Sequence, residues 1–349
     1  MSHLDKVLNY IKHMGYSPKK DYPCLFEQYY RFLESKPQVG KRILHATPLF
    51  NNVIPKLLPL MASGADLVVS SPPNISMNQA TVQFLQSIGI TCLTKVNSFE
   101  RFDFVLDCTG SYSHLNINIG AVELTKSGRD YYRKAKHPCV LVDDSKIKLI
   151  EDMLGTSDGL MRALNQLDYK VKDKNITLFG YGKVGKGVYL RLKNEGAHVN
   201  LVDIYRPSDK IESFVLASEK QAVQNKSRES DFVITATGVR RMIEKNYDIS
   251  YFKNGPILVN IGAEDEYGPS FSAQEVLNKK APLNFILDEP TQLKYLDATF
   301  ALHNEGAMQL LEESLPPGIH KPRFIDEEKF IDISKKAGIN IESLADING

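Results

Sequence analysis

Short apolar runs alternate with amphipathic stretches along most of the chain, and that alternation reads as β-α units around parallel sheets. In the first half, the runs at 42–46, 65–70, 90–93, 102–107 and 138–142 predict strands. Between them, 51–62 and 77–88 show helical spacing of apolar residues, the second introduced by polar Asn74 and Ser76. Residues 1–36 read as helices joined through the Tyr22-Pro23 turn. A helical stretch at 147–167 opens a second series, with strands expected at 176–179, 199–203, 232–235, 257–261 and 284–287. The breaker-rich SLPPGIHKP segment at 314–322 marks a linker, and the polar tail ends in a short helix-like segment. The expected fold class is therefore α/β: two Rossmann-like domains with parallel sheets, doubly wound. The first is expected over 1–150, with 312–349 returning to it. The second is expected over 151–311, with hinges near 148–155 and 304–311.

Composition narrows the function classes. Lys+Arg 43 against Asp+Glu 42 leaves a formal charge of +1, which gives no electrostatic case for nucleic acid or an anionic membrane surface. No run approaches the roughly 20 apolar residues of a membrane span, and the N-terminus lacks the apolar block of a signal peptide. The four cysteines, Cys24, Cys92, Cys108 and Cys139, form no C-x-x-C pair, which argues against a zinc site and a disulfide framework. The expectation is a soluble, cytoplasmic protein with a small-molecule substrate and no metal.

The second series carries a specific chemical signal. Asn175-Ile-Thr-Leu-Phe runs into Gly180-Tyr-Gly182-Lys183-Val184-Gly185, a strand leading into G-x-G-x-x-G, and an amphipathic helix at 188–194 follows. Gly180 permits a tight turn, Gly182 lets the backbone approach a pyrophosphate, and Gly185 lets the helix pack on the strand. The helix N-terminus then offers N–H groups to the phosphates. A second strand ends at Asp203, where a carboxylate accepts hydrogen bonds from ribose hydroxyls and favours NAD over NADP. Arg206 lies near enough to serve a 2′-phosphate, but Asp203 would repel that group. Thr237, Gly238, Asn260 and Gly262 fall at later strand ends, where open α/β sheets bind ligands and where plain turn chemistry also belongs.

With these motifs in order, the chain resembles the adenosylhomocysteinase (S-adenosylhomocysteine hydrolase) family. Gly180-Tyr-Gly-Lys-Val-Gly-Lys-Gly187 differs from the family's GYGDVGKG only at Lys183. Leu44-His45-Ala-Thr47 is similar to its LHMT, Leu106-Asp107-Cys-Thr-Gly110 to LDDGG, Glu123-Leu-Thr-Lys-Ser-Gly128 to EETTTG, and Asp144-Ser-Lys-Ile-Lys148 to NDSVTK. Thr235-Ala-Thr-Gly238 is similar to TTTG, Asn260-Ile-Gly262 to NIG, and Glu305-Gly306 to the AEG turn, so the likeness covers about 40–310. The resemblance implies held NAD as an internal catalyst of redox at a ribose carbon, followed by elimination and hydration. It implies catalytic roles for Lys148 and His45, and for Asp152 or, if a deletion precedes it, Glu151. Asp107 borders the family's acidic position, here Cys108. Thr125 and Ser127 match cofactor-contacting positions.

The likeness fails in places that bear on substrate. The family's second glutamate is Leu124, the histidine after NIG is Ala263, the GHPS segment is missing, and the Lys/Tyr-rich C-terminal tail is absent. Losing buried polar recognition changes specificity by large factors, so an altered nucleoside, sugar or thioether substrate is expected. Without that tail, a homodimer with sites complete in each chain is expected. Two other readings stay open: a 2-hydroxy-acid-type dehydrogenase, and an inactive NAD-binding regulatory protein. Lys148 and Asp152 also read as a solvated i,i+4 pair, and His45 and Asp107 as hydrogen-bonded structural groups.

Overall fold

Apolar runs buried on both sides require helices on both faces of a parallel sheet, and the computed structural model, which describes residues 2–73, 75, 77–208 and 210–339, has that construction twice. One unit comprises residues 2–148 and 293–339, the other residues 149–292. The passage back into the first unit thus falls at Leu293, not at 312, and 304–311 is the interior of a helix.

The first unit begins with helices α1 (His3–His13) and α2 (Pro23–Ser35). Strand β1 (Arg42–Ala46) and helix α3 (Ile54–Ala62) follow, then β2 (Asp66–Val69), α4 (Gln79–Ser87) and β3 (Thr91–Cys92). Strands β4 (Arg101–Asp107) and β5 (Asn116–Glu123), the short helix α5 (Arg129–Tyr132) and β6 (Pro138–Leu141) complete its first pass. Helix α4 starts at Gln79 because the Asn78 side chain caps it, accepting from the Thr81 amide at 3.0 Å; Asn74 and Ser76 lie outside the described residues.

The second unit opens with a π-helical turn, Ile150–Gly155, continued by α6 (Thr156–Gln166). Then come β7 (Asn175–Phe179), α7 (Lys183–Asn194), β8 (His198–Asp203), β9 (Phe214–Leu216), α8 (Lys220–Arg228), β10 (Phe232–Thr235), α9 (Met242–Asn246) and β11 (Ile257–Asn260). The apolar segment expected as a strand at 284–287 is instead a 3-10 turn, Leu283–Ile286, bracketed by Pro282 and Pro290. Proline lacks the N–H that a sheet ladder needs. The chain returns to the first unit through α10 (Leu293–Glu312), β12 (Gly318–His320) and α11 (Phe324–Lys336). The expected helix-like segment at the very end of the tail lies outside the described residues.

All pairings in both sheets are parallel, in the orders β12-β6-β5-β4-β1-β2-β3 and β11-β10-β7-β8-β9. In each unit, successive strands leave opposite sides of the first one, which opens a crevice at their carboxyl ends. That crevice lies between β1 and β4 in the first unit and between β7 and β10 in the second.

Candidate functional site

In the second unit the glycines of the turn after β7 do separate jobs. Gly180 has φ +96°, and a Cβ there would lie 2.6 Å from the Ala236 carbonyl oxygen, so the turn needs glycine for conformation and for space. A Cβ on Gly185 would collide with the Gly180 carbonyl, and one on Gly187 with the Met153 backbone. Gly182 is different: a Cβ there would meet nothing within 4 Å. Its backbone needs no glycine for its own sake, so its bareness fits close approach of a ligand. Helix α7 begins one residue later, at Lys183, earlier than the 188 expected from periodicity, and no side chain caps its N-terminus. Those first N–H groups and the open face of Gly182 fit a pyrophosphate. Val184 packs against the core behind the turn.

Asp203 ends β8 and holds the turn: its Oδ2 accepts from the Tyr181 amide at 2.6 Å and its Oδ1 from the Ile204 amide at 2.6 Å. Oδ1 also accepts from the Tyr205 amide at 3.3 Å, so Oδ2 is the oxygen with a further lone pair for a ribose hydroxyl. At the neighbouring strand ends the expected ligand-facing groups are engaged within the protein. Glu266 accepts from the Thr237 amide at 3.0 Å, the Thr237 hydroxyl at 2.7 Å and the Gly238 amide at 2.6 Å. Gly262 leaves room for that carboxylate, since a Cβ there would strike Glu266. Fully buried Asn260 donates to the carbonyls of Gly262, Glu264 and Lys280 and accepts from the Thr235 hydroxyl at 3.1 Å. Asn260 and Glu266 thus shape these loops. Glu266 was not legible in the sequence, because Glu264-Asp265-Glu266 reads as a solvated acidic turn.

In the first unit, register places several polar residues at the carboxyl edge, His45 on one face of the sheet and Asp107 and Glu123 on the other. His45 and Ala46 on β1 pair with Leu106 and Asp107 on β4, and Asp107 pairs with Glu123 on β5. His45 is fully buried; its Nε2 lies 3.1 Å from the Thr47 hydroxyl and its Nδ1 has no hydrogen-bond partner. Burial, reinforced by the nearby Lys56 and His303, pushes its pKa well below the usual imidazole value, so the ring is neutral near pH 7. Lys56 stands alone among the apolar residues of α3 and is itself fully buried, donating to Asn304 Oδ1 at 2.8 Å. A single lysine inside IPKLLPLMA was the sequence sign of that buried polar cluster. His303 Nε2 donates to the Val122 carbonyl at 2.8 Å, and its Nδ1 is unpartnered.

Asp107 is not poised for chemistry at an open edge. It accepts from the Cys108 and Tyr112 amides, each at 2.8 Å, and from the Tyr132 hydroxyl at 2.7 Å, with no exposed surface. Burial and then the neighbouring Glu123 raise its pKa to about 7 despite those bonds. Glu123 gathers the amides of Thr109, Gly110 and Thr125 and the Thr125 hydroxyl at 2.6–2.9 Å, which holds Thr109 at the uncommon φ of +66°. Thr125 and Ser127 join this loop network, their hydroxyls 3.1 Å apart, and Leu124 is buried beside it. Lys148 closes the first pass of this unit, 3% exposed, with its amide donating to the Ser145 hydroxyl at 3.3 Å. Asp152 belongs to the second unit and to the π-helical turn. Its carboxylate lies 3.9 Å from Lys183 Nζ. Glu305-Gly306 is not a turn: both residues lie inside α10, where a Cβ on Gly306 would lie 2.6 Å from Val122. Among the described residues, no group of His, Cys, Asp or Glu is arranged to hold a metal ion, and no helix is long and apolar enough to cross a membrane.

Comparison with known proteins accords with this geometry. Residues 152–273 match the NAD binding domain of S-adenosyl-L-homocysteine hydrolase. The chain is 27% identical to the adenosylhomocysteinase of Pyrococcus abyssi over 90% of this chain and 88% of that one. It is 28% identical to the S-inosyl-L-homocysteine hydrolase of Methanopyrus kandleri, over 90% and 87%. Among solved structures, a dipicolinate synthase from Bacillus halodurans superposes with a TM-score of 0.50 at 13% identity, covering 79% of this chain and 99% of that one, a likeness of fold. The cofactor of the second unit is NAD. With its glycine turn, its parallel sheets and relatives spanning nine-tenths of its length, the chain is similar to the adenosylhomocysteinases, and its second unit to their NAD binding domain.

Proposed function

We propose that this protein is an NAD-dependent enzyme that oxidises a secondary alcohol of a nucleoside-type thioether and cleaves the thioether by elimination and hydration. The carrying observation is the set of buried polar groups at the carboxyl ends of adjacent parallel strands, His45 on one face of the sheet and Asp107 and Glu123 on the other, with buried Lys148 following β6. These groups stand at the edge where open α/β sheets take their ligands. In the second unit, Gly182, Lys183, Gly185 and Asp203 would hold NAD, which when bound supplies a reversible acceptor for the hydride of a carbinol carbon. Lys148 steadies the alkoxide left as the carbinol oxygen loses its proton. Asp152 takes a proton at the oxidised side, and neutral His45 serves the leaving sulfur and the entering water through its free Nδ1. Asp107 and Glu123 fix the loops around the substrate rather than exchange protons with it. The relatives' names include both an adenosyl and an inosyl substrate. The loss of polar groups at Leu124 and Ala263 supports a substrate recognised differently from the adenosyl one.

The test is single-turnover absorbance of bound reduced nicotinamide with S-adenosyl- and S-inosyl-L-homocysteine, together with a thiol assay. The expected result is transient reduction and free thiol with no net NADH. NADH released in stoichiometric amount without thiol would make the protein a simple dehydrogenase, and NAD left oxidised by every such thioether would remove the proposal. Lys148→Met should keep NAD binding while slowing reduction by about a hundredfold; unchanged reduction would remove Lys148 from the mechanism.

A further inference from the structure

Helix α10 lies over the face of the first sheet that carries His45. A Cβ on Gly306 would meet the Val122 side chain, and Val122 shares its row with Leu106 and His45, so these side chains point to the same side of the sheet. Around that face His45, Lys56, Thr299 and His303 are each fully buried. The Thr299 hydroxyl, His45 Nδ1 and His303 Nδ1 have no hydrogen-bond partner. Thr299 and His303, an i,i+4 pair on α10, are neighbours on the helix. Burial, and then Lys56, push the His303 pKa well below the usual imidazole value, and its Nε2 donates to the Val122 carbonyl. Its Nδ1 is thus a bare acceptor.

Lys56 supplies the complement. Its role as donor is fixed from the surface inward: Arg31 and Arg323 flank Glu305, which accepts from Gln28 Nε2 at 2.8 Å. Gln28 Oε1 accepts from Asn304 Nδ2 at 3.0 Å, and Asn304 Oδ1 from Lys56 Nζ at 2.8 Å. Charged or neutral, that nitrogen keeps a further N–H. Lys56 also helps to lower the pKa of both His45 and His303, which marks its nitrogen as a near neighbour of both rings.

We propose that Lys56, Thr299 and His303 hold a water molecule beside His45, and that this is the water added to the substrate. A water accepts from the amine, gives a proton to the bare imidazole nitrogen and has capacity left for the threonine hydroxyl. Buried waters make about three bonds to otherwise unsatisfied polar groups. An anion would bring no proton to His303 Nδ1, and the full burial of every group favours water over a larger ligand. In the reaction the water oxygen bonds to the carbon that lost sulfur. The double bond left by elimination gives its electron pair to the adjacent carbon, which takes back the proton removed from it. The proton shed by the water goes to His45 Nδ1 and restores the one given to the leaving sulfur.

This inference rests on the reaction proposed above, and separate measurements keep the site and the reaction apart. Nitrogen NMR of the full chain with isotope-labelled histidine, His303 being assigned through His303→Gln, should show His303 protonated at Nε2 and Nδ1 accepting a hydrogen bond without substrate. An unbonded Nδ1 overturns the water site. So does an Nδ1 bonded only once S-adenosyl- or S-inosyl-L-homocysteine is added, which would give the place to a substrate hydroxyl. In single turnover, Thr299→Val should leave nicotinamide reduction and thiol release within about twofold of the parent and slow reoxidation about fivefold. Thr299→Ser should restore it, and Lys56→Met should slow the same step about tenfold or more. Unchanged reoxidation in Thr299→Val, or an equal fall in every step that Thr299→Ser does not relieve, removes this water from the reaction. A parent that never reduces its NAD overturns the reaction itself, and the spectra still decide the site.

Discussion

Two glycines of one turn separate what a residue does for the fold from what it does for the ligand. A Cβ on Gly187 meets the Met153 backbone, which has nowhere to go. Gly187→Ala should therefore destabilise the protein by about 1–3 kcal/mol, as overpacking does, read from the urea midpoint of the second-unit transition. A Cβ on Gly182 meets nothing, so Gly182→Ala should change stability by no more than about 0.5 kcal/mol. Its cost should appear in NAD affinity, lost about tenfold or more as the methyl enters the space a pyrophosphate needs. If both variants behaved alike in either assay, this division of roles would be wrong. The residue scale is also where sequence reading was strongest and then misled. Gly180, Gly182, Gly185 and Asp203 occupy the turn and strand end expected of them. Asp107 and Asn260 proved to be saturated with internal hydrogen bonds, because a polar residue at a strand end looks the same in sequence whether its partner is a ligand or a loop.

At the scale of elements, α2 has no side-chain cap of its own, since Tyr22 at its N-cap offers none. The cap comes from 273 residues away in sequence: Asp297 on α10 accepts from the Cys24 amide at 2.8 Å and, nearly as far away, from the Leu25 amide at 3.0 Å. Those bonds favour the carboxylate, yet burial wins and raises the Asp297 pKa to about 7 from 3.8. A group that binds its proton more tightly when folded contributes stability that is full below the unfolded pKa and is lost as pH rises through the folded one. Between about pH 4 and 7 each unit costs up to about 1.4 kcal/mol. The parent should therefore lose about 1 kcal/mol or more, relative to Asp297→Asn, between pH 5 and 8 in urea titrations. Parallel curves for the two proteins would show that the carboxyl is not held protonated. This capping contact also explains why the linker motif at 314–322 misplaced the return to the first unit. Helix α10 carries the buried Asp297, His303 and Asn304 into that unit well before the prolines appear.

On the scale of the whole molecule, the second unit is one uninterrupted segment, 149–292, while the first is assembled from both flanks. A contiguous unit with its own sheet and core should fold alone. The segment 149–292 expressed by itself should unfold cooperatively and bind NAD in calorimetry, and an unfolded segment would refute its independence. A chain ending before Leu293 should fail differently. It would keep the NAD-binding segment but lose α10, which leaves the α2 terminus without Asp297 and Lys56 without Asn304, so its first unit should lack protection in hydrogen exchange.

What the sequence determined by itself was whatever is encoded over a short span. The β-α alternation, the glycine turn and its strand, the acid ending β8 and the resemblance carried by these motifs all depend on neighbours within a few dozen residues. Tertiary structure decided what depends on distant partners. It filled the donors of Thr237 and Gly238 with Glu266, made Asp297 the cap of α2, and buried Lys56 against Asn304. It also turned Asp152 to Lys183 by a π-helical turn whose register no periodicity announces. The physical reason is the same in each case. A polar side chain taken out of water must find a partner, and only the folded chain settles whether that partner is a loop, a helix end or the place left for a ligand.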